Sequence, residues 1–445
     1  MADSPLKFTP LHSWIARKIG SSSETFTREA ITAYQLRKVR ETLHLAREKS
    51  IFYRSRLAAC PQDIASLEEL EYYPFTTAED IRREPLRFLC VSQNEIERVV
   101  TLDSSGTTGL PKRLFFTRDD QELTIDFFQV GMSTFTAPGD RVLILLPVER
   151  PGSVGDLLAI ALERMGAIGV RHGLVRDVDH TLAVMANEGV NGAVGLPTQV
   201  LALVRNAGTE KYSRLRLKSV LLTTDHVPQA IVRAVEASWG CRVYSHYGMT
   251  EMGLGGGVEC QARRGYHMRE ADLYMEVIDP ITGRTVSEGE YGEVVFTTLT
   301  RFGMPLIRYR TGDISRFIPG DCPCDTVLRT LEKVRGRISN RVDLGNGYCL
   351  TMADLDDALF PIDGVWDFTA SLSREGKMDH LHIEVWGTGE TRMPVVQQAV
   401  ETIPEVRAAR ESGRLEVVSM MRKEGQFGFS GQAKRMLVDR RLSSD

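Results

Sequence analysis

Apolar residues recur along this chain in two rhythms, and the switch between them divides it. From about Arg28 to Arg56 they fall at helical spacing among many Arg, Glu and Lys, which predicts an exposed N-terminal helix. Further on, short apolar runs alternate with amphipathic stretches. Strands are predicted at Arg141–Leu146, Val190–Val194, Leu217–Thr223 and Arg242–His246, with helices at Gly155–Met165 and Gln229–Trp239. This βαβα alternation predicts a mostly parallel sheet with helices on both faces. After Gly253 the texture changes: Leu273–Ile278, Gly292–Thr298 and Ile307–Phe317 read as strands joined by Gly-rich turns such as Asp279–Gly283, an antiparallel β subdomain. From about Asn340 the order becomes strand, helix, strand, strand, helix, strand. Its helices lie near Met352–Phe360 and Met393–Ile403, and its strands include His380–Trp386 and Arg414–Met420. The expected fold class is therefore α/β, with a large N-terminal domain over residues 1–337 and a small α+β domain over 338–445.

Composition narrows the function classes. A length of 445 residues suffices for one large and one small domain. Hydrophobic residues at 42% and charged residues at 26% are ordinary for a soluble enzyme. A net charge of −4 with dispersed basic residues leaves no footprint for nucleic acid. The longest apolar run, around Val142–Pro147, reads as a buried strand and is too short for a membrane span. Polar residues near the start argue against a signal peptide, and seven cysteines without an export signal point to a reducing cytoplasm.

Candidate chemistry concentrates in four strings. The first, Asp103–Lys112, lies between a strand-like Glu97–Leu102 and Arg113–Thr117. Gly106 and Gly109 allow a tight turn whose N–H groups converge on an anion. Ser104, Ser105, Thr107 and Thr108 add hydroxyls, and Lys112 adds a mobile positive charge. The spacing is not that of a P-loop. The second string, His246–Glu251, follows a strand and so sits at a carboxyl edge, where open α/β sheets bind ligands. There Tyr247 offers a ring to stack on adenine, Gly248 a turn, Thr250 a hydroxyl for phosphate and Glu251 a hard oxygen for Mg²⁺. The third, Pro305–Asp313, ends in a carboxylate suited to two ribose hydroxyls. In the fourth, Gly336–Arg337, the guanidinium is placed to hold ribose or phosphate oxygens.

In this order the strings resemble the adenylate-forming superfamily of acyl-CoA synthetases over nearly the whole chain. Tyr247–Glu251, Glu259–Cys260, Gly265–His267, Glu276–Gly283, Thr297–Thr300, Met304–Asp313 and the N-terminal Tyr73–Thr77 are similar to its phenylacetate–CoA ligase branch. The resemblance implies ATP, Mg²⁺ and coenzyme A, and a small-molecule carboxylic acid, aryl or arylacetic, as substrate. It implies that Thr107, Thr108 and Lys112 hold the β/γ-phosphates, Thr250 the α-phosphate, Glu251 the metal, and Asp313 and Arg337 the ribose. The small domain would act as a mobile lid. Pocket residues in such enzymes come from the middle of the large domain, here Phe127, Phe128, Gly195–Pro197 and Thr223–Pro228; Asp225 and His226 place polar groups near a substrate or, equally, form a solvated turn before a helix. Dimers are common among them, so a homodimer is allowed.

Two features depart from that pattern. A C-terminal Gly-Lys pair is usual, whereas here Gln432 follows Gly431 and Lys434 stands two residues on, on the same side if the segment is a strand. Lys434 is the expected catalytic cation; the alternative is weakened adenylation. The hinge run reads Ile338-Ser339-Asn340-Arg341 rather than carrying two Asp. The weakened-adenylation case keeps two other readings open: an enzyme that attaches AMP without forming a thioester, and a catalytically impaired nucleotide-binding protein. Finally, Cys260, His267, Cys322 and Cys324 make a Cys₃His set suited to a structural zinc, an arrangement many members of the branch share. Ordinary buried thiols are the alternative.

Overall fold

The single helix expected from Arg28 to Arg56 is two helices, Arg28–Lys49 and Ile51–Arg56, because one serine interrupts it. Ser50 sits in extended backbone (φ −84°, ψ 125°); its N–H still bonds Ala46 O at 3.0 Å while its hydroxyl accepts from Tyr53 N–H at 3.3 Å. It therefore closes the first helix and caps the second. The computed structural model describes residues 8–22, 25–102, 110–207, 212, 215–387, 391–422 and 435–441. They divide into two compact units, one of residues 1–139, 149–167 and 245–334, the other of 140–148, 168–244 and 335–445.

In the first unit, strands Ile96–Leu102 and Lys112–Thr117 pair antiparallel with Leu102 opposite Lys112, so the Ser/Thr/Gly string joins the two arms of a hairpin. Helix Arg118–Met132 follows at once, started by a reciprocal capping pair between Thr117 and Asp120. The expected antiparallel subdomain is present, with Leu273–Ile278, Gly292–Thr298 and Tyr309–Ser315 pairing in sequence order. Gly292–Thr298 is buried at every position, as the middle strand of a sheet covered on both faces. Phe115, Phe116, Met252, Phe296 and Tyr309 belong to one apolar core here.

In the second unit, strands Ser219–Leu222, Gly192–Gly195, Arg141–Leu145 and Ile168–Arg171 run parallel in that spatial order. Each is short; helix Val178–Asn187 connects Ile168–Arg171 to Gly192–Gly195, helix Pro197–Asn206 connects that strand to Ser219–Leu222, and helix Gln229–Trp239 follows the last. The C-terminal part adds a four-stranded sheet ordered Leu415–Met421, Met378–Gly387, Val365–Glu375, Leu437–Asp439. Helix Pro404–Glu411 escaped the sequence reading because half of its residues are charged and only Val406 and Ala409 are buried. One core runs from Leu143 and Trp239 to Leu355, Phe368 and Val417. The compact division is thus by packing rather than chain order, and the chain enters this unit for the last time at Arg335. An α/β fold with a parallel-rich sheet, an antiparallel β part and a C-terminal α+β part is what the pattern predicted.

Candidate active site

Strand Arg242–Tyr247 ends at Gly248, where the chain folds back so closely that a Cβ would lie 2.5 Å from Leu254 O. Only glycine fits there. A single 3₁₀ turn, Thr250–Met252, then carries Glu251 inward until its side chain is buried. Its Oε1 accepts from the Tyr309 hydroxyl at 2.8 Å and from the Lys112 ammonium. Burial pushes the Glu251 carboxyl up, but the Lys112 charge, together with hydrogen bonds from Lys112, the turn's own backbone and Tyr309, outweighs it and holds the pKa below the ordinary value. The site therefore presents an ionised carboxylate in the interior.

A second polar pair lies on neighbouring elements. The Tyr247 hydroxyl donates to Asp313 Oδ2 at 2.8 Å, while the Tyr247 ring stacks on Tyr266 with centroids 5.8 Å apart. Gly312, at φ +75°, makes the turn that aims Asp313, whose N–H is held by Thr311 Oγ1 at 3.0 Å. Tyr247 thus orients the carboxylate expected to meet ribose.

Tyr309 owes its place to a brace from the N-terminal segment. Arg308, buried and at φ +47°, pairs with Glu276 at 2.8 Å and lies 4.2 Å from the centroid of the Phe75 ring. It also donates to Tyr73 O at 2.9 Å and Glu71 O at 3.1 Å. Thr76 bonds both neighbours of Tyr309: its N–H reaches Arg308 O at 3.1 Å and its carbonyl accepts from Arg310 N–H at 2.9 Å. The string Tyr73–Thr77 is therefore structural support for the site.

Ser104, Ser105, Gly106, Thr107, Thr108, Gly109 and Lys434 lie outside the described residues. Arg337 belongs to the second unit, half-buried on the short strand Gly336–Arg337. Asp225, expected near a substrate, pairs instead with Arg435 at 3.3 Å, and the same guanidinium reaches Asp356 at 2.8 Å. Phe127 and Phe128 are buried with ring centroids 6.1 and 6.4 Å from His246, whose pKa burial and then Arg269 lower to about 4. His246 is thus a neutral ring between aromatics.

Cys260, His267, Cys322 and Cys324 do converge, all buried, with their ligand atoms within 4.8 Å of one another. The Cys260 and Cys322 sulfurs are 3.6 Å apart, too far for a disulfide, and Cys324 Sγ is 3.4 Å from His267 Nε2. The other His267 nitrogen faces Arg329 O at 3.4 Å.

The profile of the family described as AMP-binding enzyme matches residues 66–300. The chain belongs to the AMP-binding enzyme family. That membership bears out the superfamily named by the motifs, and the matched span ends just after the strand Gly292–Thr298. This AMP-binding enzyme is 27% identical to the phenylacetate–coenzyme A ligase of Pseudomonas putida over 387 residues, covering 81% of this chain and 83% of that protein. To the phenylacetate–coenzyme A ligase of Thermus thermophilus it is 28% identical over 375 residues, with coverage of 81% and 82%. Among solved structures, a 2-hydroxyisobutyryl-CoA ligase in a postadenylation state shares the fold with a TM-score of 0.77 at 22% identity, over 96% of this chain and 92% of that one. For this AMP-binding enzyme, sequence reasoning named Lys112, Tyr247, Glu251 and Asp313 and passed over Tyr309. That residue lay inside the quoted string Pro305–Asp313, but its partner is 58 positions away.

Proposed function

We propose that this chain is an ATP-dependent ligase that activates a carboxylic acid, aryl or arylacetic, as an acyl-adenylate and passes the acyl group to coenzyme A. The observation that carries this reading is the buried wall on which Lys112, Glu251 and Tyr309 meet, in the same unit as the Tyr247–Asp313 pair. A carboxylate oxygen of the acid attacks the α-phosphorus of ATP, and the bond to pyrophosphate breaks. The thiol sulfur of coenzyme A then attacks the acyl carbon, AMP leaves with the bridging oxygen, and the thiol proton passes to solvent. Both steps need orientation and charge stabilisation rather than a covalent enzyme intermediate.

Glu251 fits a Mg²⁺ ion because it is a buried, ionised, hard oxygen donor. Such an ion neutralises charge on the phosphate oxygens. Lys112 holds the same carboxylate oxygen, so its ammonium is the group that turns to the β/γ-phosphates when nucleotide arrives. Thr250 contacts the α-phosphate, Asp313 accepts the ribose hydroxyls, and Arg337 and Lys434 act from the part of the chain that serves as a lid. The reading of the acid as aryl or arylacetic is supported by the likeness to the phenylacetate–coenzyme A ligases.

The four Cys and His ligands fit a structural zinc. Tetrahedral Zn–S and Zn–N bonds place two sulfurs about 3.8 Å apart and sulfur and nitrogen about 3.6 Å apart, close to the 3.6 and 3.4 Å found. The Arg329 carbonyl is placed to fix the ring of His267.

Incubation with ATP, Mg²⁺, coenzyme A and a panel of carboxylic acids, read by mass for AMP and acyl-CoA, tests the reading. Acyl-CoA with an aromatic acid supports it; an AMP conjugate without thioester, or bound ATP without turnover, overturns it.

A further inference from the structure

Two buried arginines in the first unit bind no carboxylate among the described residues. Arg301 is 6% exposed and Arg269 is 5% exposed, and burial lowers the pKa of both. Arg301 spends its fork on two backbone carbonyls: Nη1 donates to Glu251 O and Nη2 to Phe115 O, each at 2.9 Å. Its guanidinium lies 4.4 Å from the centroid of the Phe116 ring. Arg269 donates through Nη2 to the next carbonyl of the turn, Met252 O, and lies 5.3 Å from the Phe127 centroid.

The bonds of Arg301 join the two elements that matter for the site. Phe115 belongs to the strand that begins at Lys112, and Glu251 belongs to the turn Thr250–Met252. A planar guanidinium with donors fixed in one fork sets the distance and angle between two acceptors, which a flexible ammonium does not. Burying that charge against neutral carbonyls is costly, and either arginine could be replaced by an apolar side chain if packing were its whole task. Resting on the functional reading above, we propose that Arg301 is a positioning residue of the nucleotide site, with Arg269 as its support on the adjacent carbonyl. It locks the turn carrying Thr250 and Glu251 to the strand carrying Lys112, so that carboxylate and ammonium meet metal and phosphate at a set angle.

The test compares the full-length wild type with Arg301→Gln and Arg301→Lys. Calorimetry of ATP binding across a Mg²⁺ titration is one readout, and amide exchange at Met252, Gly253 and Leu254 without ligand is the other. In Arg301→Gln the Mg²⁺ midpoint is expected to rise about tenfold or more, the effect of losing one charged hydrogen bond, with faster exchange at those three amides. Arg301→Lys, which keeps the charge and reaches one carbonyl, recovers part of both. In steady state the loss falls on kcat and the ATP requirement, with the KM for the acid unchanged. A variant that melts lower but keeps the wild-type Mg²⁺ midpoint and exchange rates overturns the proposal. If Arg301→Gln does not fold, the same comparison on Arg301→Lys decides. A wild type that binds no Mg·ATP sinks the nucleotide reading and this proposal together, whereas wild-type binding matched by both variants sinks the proposal alone.

Discussion

Glu251 in one unit and Asp356 in the other are both buried beside a cation, yet their neighbours divide them. Among the described residues Glu251 is the one carboxylate paired with Lys112, the Tyr309 hydroxyl adds a hydrogen bond, and the Glu251 pKa falls below the ordinary carboxylate range. Asp356 shares Arg435 with Asp225 and Asp367, at 2.8, 3.3 and 3.9 Å from the guanidinium respectively. Burial raises Asp356 to about 8; Arg435 opposes this, while Asp225 and Asp367 add to it. Burial raises Asp367 to about 6 for similar reasons. Desolvation alone does not set the state of a buried acid; the local balance of charges does. The first unit holds an ionised carboxylate, and the second holds Arg435, next to its last strand, with a knot of acids that retains a proton.

The sharpest way to break this contrast is to remove the charge on its ionised side. Glu251→Gln is expected to lower kcat/KM for adenylation by roughly 10²–10³-fold, the scale of one lost transition-state contact, with folding intact by circular dichroism. Near-normal pyrophosphate release would take Glu251 out of the site. A third buried cluster, Cys260, His267, Cys322 and Cys324, sharpens the comparison, because its proposed charge partner is a metal ion rather than an ammonium. The purified protein is expected to carry about one zinc per chain. Cys322→Ser should lose it and melt lower by more than about 5 °C, the shift expected from a loss of a few kcal/mol; a metal-free preparation of full stability would remove zinc from the account.

Asp313→Ala comes next, with an expected rise of about tenfold in the KM for ATP and little change in kcat, since the lost contact binds ground and transition states alike. An unchanged KM counts against the ribose assignment. The smallest effect concerns pH. Asp356 has its folded pKa raised from 3.8 to about 8, so the folded state keeps a proton that the unfolded state releases. Its contribution is complete below the unfolded pKa and is lost as pH rises through about 8. Removing a neighbouring negative charge with Asp367→Asn should flatten the fall in melting temperature between pH 6 and about pH 9 by a few degrees. Parallel curves for wild type and variant would mean that the number of acids does not protonate Asp356.

The layered fold was legible because its signals are local. Strands such as Gly292–Thr298 are short apolar runs between turn residues, and helix Gln229–Trp239 shows its periodicity openly. The identities of Tyr247, Glu251 and Asp313 were legible because each belongs to a short string, His246–Glu251 at a strand end and Pro305–Asp313 running into a strand. What joins them was not. Tyr309 meets Glu251 across 58 residues and Lys112 meets it across 139, distances over which one sequence carries no register. The carbonyls that Arg301 binds are backbone atoms, invisible in residue identities. The partner of Asp225 was hidden for a similar reason: Arg435 is 210 residues further on.

The brace around Arg308 has a consequence for how the protein is made. Tyr73 and Arg308 are 235 residues apart, so the segment Tyr73–Thr77 leaves the ribosome well before the arginine that will bind its carbonyls and cover Phe75. At synthesis rates of roughly 5–20 residues per second that interval lasts roughly 10–50 s. Throughout it, the nascent chain holds an N-terminal helical layer whose docking strand does not yet exist. Arg308, Tyr309 and Asp313 then emerge almost together and complete the brace, the Glu251 contact and the Tyr247–Asp313 pair within six residues of chain. These contacts therefore become possible late and together during translation, and a ribosome that stalls before Arg308 leaves a chain unable to assemble this wall.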